Sequence, residues 1–278
     1  SRALPIRERR LVGPWCFLDR FGPLAFKNET PMAVPPHPHI GLQTVSWLLE
    51  GEILHTDSLN SEAILTPGGV NVMTAGKGIA HAEETPPANS GRLNGVQLWV
   101  ALPDNYRHTH PSFVNIKQVP VIETRGALIH LIAGTLAGIT SPAPYYSEII
   151  GMEVQVRPHA SENIEQNPLF EHALLLLDGD CSVETERLEP KVLYYLGTGR
   201  ECLSLNSQSG CRVLVIGGPP FPEKILMWWN FVARTPEEIR QARDDWEQHR
   251  HFGQVSGTKL HRLPAPELTR FASPNPLS

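Results

Sequence analysis

Pro36-His37-Pro38-His39-Ile40-Gly41, answered by Gly76-Lys77-Gly78-Ile79-Ala80-His81-Ala82-Glu83, is the pair of stretches on which the reading of this chain turns. Each carries two metal-ligating side chains with one residue between them. Side chains in a β-strand alternate faces with a period of two, so His37 and His39 share a face, as do His81 and Glu83. Two such strands facing a common interior bring three imidazoles and one carboxylate together, a complete donor set for one divalent transition metal. Pro38 points the other way and donates no backbone hydrogen bond, which suits the start or the edge of a sheet.

Outward from these stretches the pattern stays β. Thr44–Leu49 is a β-branched run with Trp47, and Glu50-Gly51-Glu52 reads as a hairpin turn into Ile53–Ser58. Thr66-Pro67-Gly68-Gly69 is a turn before the short strand Val70–Thr74. Leu93–Leu102 alternates, with Leu93, Gly95, Gln97 and Trp99 on one face. Upstream, Leu11–Arg20 reads as a strand broken by Phe21-Gly22-Pro23, and Asn28–Pro36 as a loop. The polar, His-rich Asp104–Ser112 reads as a linker. A second series of short strands follows: Val119–Glu123, Leu128–Ala133, Glu148–Val156, Ala173–Asp178, Cys181–Thr185, Lys191–Leu196, Glu201–Leu205 and Arg212–Ile216. Thr235-Pro236-Glu237-Glu238 is a helix start, with an N-cap, proline at the first position and acids in the first turn. The helix runs to about His249, with Ile239, Ala242, Arg243 and Trp246 along one face. The fold class is therefore all-β: two tandem antiparallel β-barrels with a C-terminal helix. The expected division is 1–112 for a metal-binding barrel, 113–230 for a barrel without metal, and 231–278 for a helix and tail packing on the barrels.

Composition narrows the function classes. The 278 residues carry a formal net charge of −5, with 26 prolines and 22 glycines, as expected of short strands joined by turns. The mild negative charge speaks against a direct nucleic-acid binder. No apolar run approaches membrane-spanning length. Ser1–Pro5 shows no leader pattern, and Cys16, Cys181, Cys202 and Cys211 are scattered without a C-x-x-C. A reduced, cytoplasmic setting follows as the expectation, with a disulfide among the later three cysteines left open. There is no G-x-S-x-G, no P-loop and no dinucleotide fingerprint. Of the remaining histidines, His55 lies one residue from Asp57, a place from which it can orient a ligand or line a pocket, with a plain hydrogen-bonded role as the favoured reading. His108 and His110 copy the spacing in solvated surroundings. His159 and His172 have no paired ligand, and His249, His251 and His261 read as surface residues.

The run from Pro36 through Gly51, together with Pro67 through Glu83, resembles the signature of the pirins, members of the cupin superfamily. Val12-Gly13-Pro14 through Phe21-Gly22-Pro23 and Leu93–Val100 extend the likeness, which loosens from Phe113 to Arg212 and returns over Pro219–Trp246. The resemblance implies a bicupin with metal in the amino-terminal barrel, held by His37, His39, His81 and Glu83. It implies iron(II) as the metal, with Ni, Co, Cu, Mn and Zn as ions that the same donors accept. It also implies quercetin 2,3-dioxygenase activity on a small aromatic substrate and dioxygen. One departure is Gln43, where many relatives have Glu, which bears on metal preference and pocket polarity. In the expected mechanism a flavonol binds as its enolate, Glu83 takes the hydroxyl proton, and ring cleavage releases carbon monoxide. The alternative is a non-catalytic, redox-sensitive metal module read by a protein partner. A sugar or keto-acid isomerase is a third reading.

Overall fold

The computed structural model describes residues 1–26 and 32–268. Residues 28–31 of the expected Asn28–Pro36 loop, and the tail beyond 268, lie outside the described residues. The regular secondary structure of the described residues is β-strand apart from one helix, and the chain divides into two β-rich units. The first comprises Arg20–Lys117 and the chain from Pro222 onward; the second comprises Ser1–Asp19 and Gln118–Phe221.

Ten strands open the chain: β1 (Arg2–Leu4), β2 (Trp15–Ala25), β3 (Ala33–His39), β4 (Leu42–Gly51), β5 (Ile53–Asp57), β6 (Glu62–Leu65), β7 (Val70–Thr74), β8 (Ile79–Glu84), β9 (Arg92–Ala101) and β10 (Ser112–Ile116). One sheet runs β1-β2-β9-β4-β7-β10 and the other β3-β8-β5-β6. Three sequence expectations give way here. Phe21-Gly22-Pro23 does not break β2, because Gly22, at φ +81°, brings its backbone against the Leu93 carbonyl, where no Cβ would fit. Glu50-Gly51-Glu52 is not a hairpin turn. It is a corner that carries the chain from one sheet to the other, since β4 pairs with β7 and β9 while β5 pairs with β6 and β8. Pro35 and Pro36 are strand rather than loop. They are tolerated because β3 is an edge strand, and its register shifts between Val34 and His37.

Twelve strands follow: β11 (Val121–Glu123), β12 (Ala127–Ala133), β13 (Thr135–Leu136), β14 (Ile139–Thr140), β15 (Ile150–Val156), β16 (Ala160–Glu165), β17 (Glu171–Gly179), β18 (Ser182–Val183), β19 (Glu186–Arg187), β20 (Leu193–Gly197), β21 (Cys202–Ser207) and β22 (Cys211–Gly218). They form sheets β11-β12-β15-β22-β17-β20 and β16-β21-β18-β19, with β13-β14 as a small hairpin. Their shared interior is hydrocarbon, including Met152, Val154, Ile164, Leu174, Leu203 and Leu205. All four cysteines are free thiols.

Contacts do not follow the sequential division at 112 and 230. Residues 1–19 pack with the second unit: the Trp15 indole donates to the carbonyls of Ile150 and Gly217 at 3.1 Å each, and Gly13 N–H donates to Glu171 at 2.7 Å. Asp104–Ser112 does not link barrels, because β10 behind it pairs with β7 in the first unit, with Phe113 opposite Met73. Beyond Pro222 the chain returns to the first unit. It forms β23 (Leu226–Trp228), β24 (Phe231–Ala233) and α1 (Pro236–Glu247). Val232 N–H donates to Ile40 C=O at 3.1 Å and Arg234 to Leu102 C=O at 2.8 Å. The helix starts as expected, with a capping box between Thr235 and Glu238, and buries Ile239, Ala242 and Trp246 beside Phe231 and Phe252. Arg243 instead reaches the carbonyl of Pro266. No helix among the described residues is long and apolar enough to cross a membrane.

Candidate metal centre

The centre lies on one face of the β3-β8-β5-β6 sheet in the first unit. Register places His37 opposite His81, and on the other side of β8 it places His55 opposite Glu83 and Asp57 opposite His81. Cross-strand partners share a face, so alternation along three strands collects His37, His39, His81, Glu83, His55 and Asp57 together. All six are buried.

Two overlapping groups of potential ligands result. The ligating atoms of His37, His39 and His81 lie within 4.8 Å of one another, as do those of His55, His81 and Glu83. His81 belongs to both, so Glu83 joins the three histidines through His81 rather than as a fourth member of one tight cluster. The closest approach is between the Nε2 atoms of His39 and His81, 3.1 Å apart.

Hydrogen bonds define which nitrogens carry protons. His37 Nδ1 is 2.8 Å from Pro35 C=O, and His39 Nδ1 is 3.0 Å from Asn230 C=O. A carbonyl only accepts, so both Nδ1 atoms are protonated and both Nε2 atoms carry free lone pairs. Burial lowers the basicity of all three rings: His37 falls to about 4, and His39 and His81 fall well below their ordinary value, with the neighbouring histidines adding to the effect. They are therefore neutral imidazoles at pH 7, the form that binds metal. Two buried nitrogens 3.1 Å apart, one of them a lone pair aimed inward, make a donor set that a cation satisfies. Burial also raises the Glu83 carboxyl above its ordinary range, against the opposing pull of His55 and Ser46.

The facing sheet supplies the surroundings. The Trp99 ring meets His39 edge-on at 5.3 Å, and Phe113 stacks on His55 at 3.9 Å with the planes 2° apart. Ser46 Oγ lies 3.3 Å from Glu83 Oε1 and 2.8 Å from Gln97 Oε1, and its single proton serves one of them at a time. Asn71 is the cross-strand neighbour of Ser46 and accepts from Asn115 Nδ2 at 2.6 Å, while its own buried Nδ2 finds no acceptor among the described residues. Gln43 is on the opposite face of β4, donating to Thr74 Oγ1 at 2.9 Å. Its identity therefore does not set the polarity of this pocket directly.

Sequence reasoning placed His37, His39, His81 and Glu83 on converging strands, read His55 chiefly as hydrogen-bonded with ligand-orienting and pocket-lining roles as alternatives, and left Asp57, Ser46, Gln97 and Asn71 without assigned roles. The signal for His55 and Asp57 was their i, i+2 spacing, the same as in the two motifs. His108 and His110, which share that spacing, are exposed on the turn before β10.

Comparison with known proteins agrees with this picture. Residues 1–100 match the Pirin family and residues 151–253 match the Pirin C-terminal cupin domain. A Pseudomonas aeruginosa protein named "Putative quercetin 2,3-dioxygenase" is 42% identical over 269 residues, spanning 96% of this chain and 85% of that protein. A "Pirin-like protein" of Caulobacter vibrioides is 36% identical over 257 residues, spanning 90% and 88%. The crystal structure of a quercetin 2,3-dioxygenase from Acinetobacter baumannii superimposes with a TM-score of 0.94 at 39% identity, covering 98% of this chain and 91% of that one. With both halves of its sequence matched and a cupin-type His/Glu cluster in the first of its two β units, this chain belongs to the pirin family.

Proposed function

We propose that the protein is an iron(II)-dependent dioxygenase of flavonol-like substrates, of the quercetin 2,3-dioxygenase type. His37, His39, His81 and Glu83 are the proposed metal ligands. The observation that carries this reading is the inward set of lone pairs on neutral, buried imidazoles, with the tautomers of His37 and His39 fixed by Pro35 and Asn230. The names of the relatives in Pseudomonas and Acinetobacter support the reaction class.

Bound at these donors, a divalent iron supplies Lewis acidity toward the substrate's enolate oxygen and one-electron chemistry toward dioxygen. The chain's own residues do the rest. One carboxylate against three neutral imidazoles leaves the donor set short of neutralising a divalent ion, which favours an anionic substrate. Glu83, its carboxyl raised by burial, accepts the proton of the enolic hydroxyl, with Ser46 as hydrogen-bond partner. Asn71 Nδ2 offers a donor for a substrate oxygen, and Trp99 and Phe113 offer flat apolar surface for an aromatic ring. The reaction consumes one dioxygen, opens the ring and releases carbon monoxide.

The test is anaerobic reloading of chelator-stripped protein with Fe(II), addition of quercetin, and admission of air at an oxygen electrode. Oxygen uptake matched by carbon monoxide is expected, with the His39→Ala variant at background. Full iron content with no uptake above that variant would reject the enzyme and leave the partner-directed metal module as the reading.

A further inference from the structure

A histidine holds a metal in a fixed direction only when its other ring nitrogen is engaged. His37 and His39 each use a backbone carbonyl for this, from Pro35 and Asn230. Among the described residues His81 has no such carbonyl. Its Nδ1 instead meets Nδ1 of His55 at 3.4 Å. Two ring nitrogens form a hydrogen bond only if one is protonated and the other is not. Asp57 decides which. Its Oδ2 is 3.1 Å from His55 Nε2, and a carboxylate accepts, so the His55 proton is on Nε2 and its Nδ1 is a lone pair. His81 is then the donor at Nδ1, and its free lone pair is on Nε2, the atom facing His39.

The pair is built to stay in this arrangement. Asp57 is completely buried, and its other oxygen is held by the backbone N–H groups of Leu59 and Ser61, at 2.9 Å each. The local turn thus anchors the carboxylate, leaving Oδ2 for His55. The His55 ring is in turn held flat against Phe113.

We propose that Asp57 and His55 are positioning residues for the metal centre: Asp57 fixes the His55 tautomer, and His55 accepts the Nδ1 proton of His81, directing His81 Nε2 at the ion. This rests on the reading of the cluster as a metal site, and it gives the third histidine the engaged Nδ1 that its two partners obtain from carbonyls. His55 is not itself a ligand in this assignment. Its one lone pair is occupied by His81, and turning it toward an ion would strand the His81 N–H in a buried place.

The test uses full-length protein and Co(II), read by chelator competition and by the visible absorption of the bound ion. Asp57→Asn can donate from its amide to His55 Nε2 and so reverses the tautomer. A loss of about 10–100-fold in Co(II) affinity is expected. His55→Leu should lose a similar amount. His55→Asn, whose carbonyl oxygen falls near the place of Nδ1 and can accept from His81, should return to within a few-fold of the parent with the parent's spectrum. The two His55 variants leave the Asp57 turn intact, so the comparison survives if Asp57→Asn misfolds; circular dichroism of the metal-free variants checks this. Co(II) affinities within twofold of the parent for Asp57→Asn and His55→Leu, with His37→Ala abolishing binding, would overturn the inference while leaving the metal site standing. A spectrum showing one nitrogen ligand fewer in His55→Leu and not restored by Asn would overturn it by making His55 a ligand. Unchanged binding in His37→Ala would overturn the metal reading, and the inference with it.

Discussion

The two units of this protein share one strand plan and fill it oppositely. The β3-β8-β5-β6 sheet of the first corresponds strand for strand to β16-β21-β18-β19 of the second, and β2-β9-β4-β7 to β15-β22-β17-β20. In β8 the inward pair is His81 and Glu83; in β21 the buried pair with the same i, i+2 spacing is Leu203 and Leu205. Buried leucines stabilise a fold by about 1.5–3 kcal/mol each. Buried imidazoles and carboxylates cost free energy unless partnered. The architecture is thus indifferent to what it encloses, and the chemistry proposed for the first unit rests on a handful of side chains on a scaffold that serves equally well as a plain core.

The sharpest way to break the contrast is to make the first unit resemble the second. His81→Leu/Glu83→Leu, which copies the leucine pair, removes two of the four proposed ligands. Metal affinity should fall by at least about a thousandfold, measured by metal content after dialysis. The metal-free double variant should be as stable as the parent or more stable, by about 1–4 kcal/mol in urea, as is common when buried charged or polar groups are replaced by hydrocarbon. A metal-free double variant clearly less stable than the parent would mean that the polar cluster contributes to the fold itself. The converse change, Leu205→Ala in the second unit, should cost about 2–5 kcal/mol and leave metal content per folded chain unchanged.

A third effect compares the units by pH. The second unit also buries a histidine, His172, but a lone one: neither ring nitrogen finds a hydrogen-bond partner among the described residues. Burial, with Arg200 nearby, pushes it down to about 4. In the unfolded chain its value is near 6.5, so on acidification the unfolded state takes the proton first. Its contribution is therefore complete above about pH 6.5 and is lost progressively toward pH 4, by up to about 3 kcal/mol. His172→Leu should make the stability profile of metal-free protein less steep across that window, leaving the part of the slope that the buried His37, His39 and His81 contribute. It should also raise stability at pH 7 by about 1–3 kcal/mol, by removing an unsatisfied buried group. An unchanged slope between pH 4 and 6.5 would show that His172 is not charged on unfolding in that range.

The same contrast explains what the sequence disclosed. The shared inward face of His37, His39, His81 and Glu83 was legible because a period of two is the strongest regularity a strand has, and ionisable residues at inward positions stand out against hydrocarbon. The strand β16, Ala-Ser-Glu-Asn-Ile-Glu, was not legible. It is an edge strand that buries Ile164 alone of its six residues, so its alternation is almost silent. Nor could the corner at Gly51 be told from a hairpin. A glycine at positive φ suits both, and what separates them is which distant strands β4 and β5 pair with. The exchange of chain ends between units is non-local in the same way: no local pattern around Trp15 indicates that its indole will find carbonyls at Ile150 and Gly217. His55 and Asp57 lay between these cases. Their spacing was visible, but their value comes from standing opposite Glu83 and His81, which is a matter of register.

The smallest expected effect is at Asn71, and it asks whether the polar row behind Glu83 serves the substrate or only the sheet. Gln97, Ser46, Asn71 and Asn115 are successive cross-strand neighbours over β9, β4, β7 and β10. The Gln97 oxygen accepts from Ser46 and the Asn115 amide donates to Asn71, yet Asn71 Nδ2 is buried with no acceptor among the described residues. A donor kept unsatisfied costs about 1–3 kcal/mol, a cost that a binding site justifies and a structural row does not. Asn71→Leu should leave metal affinity unchanged and lower kcat/KM for quercetin about tenfold, equivalent to about 1.4 kcal/mol. A gain in stability with kcat/KM intact would mean that the amide meets nothing during turnover. Recognition of the substrate would then fall to Trp99, Phe113 and Glu83, and the polar row would be part of the sheet's own construction.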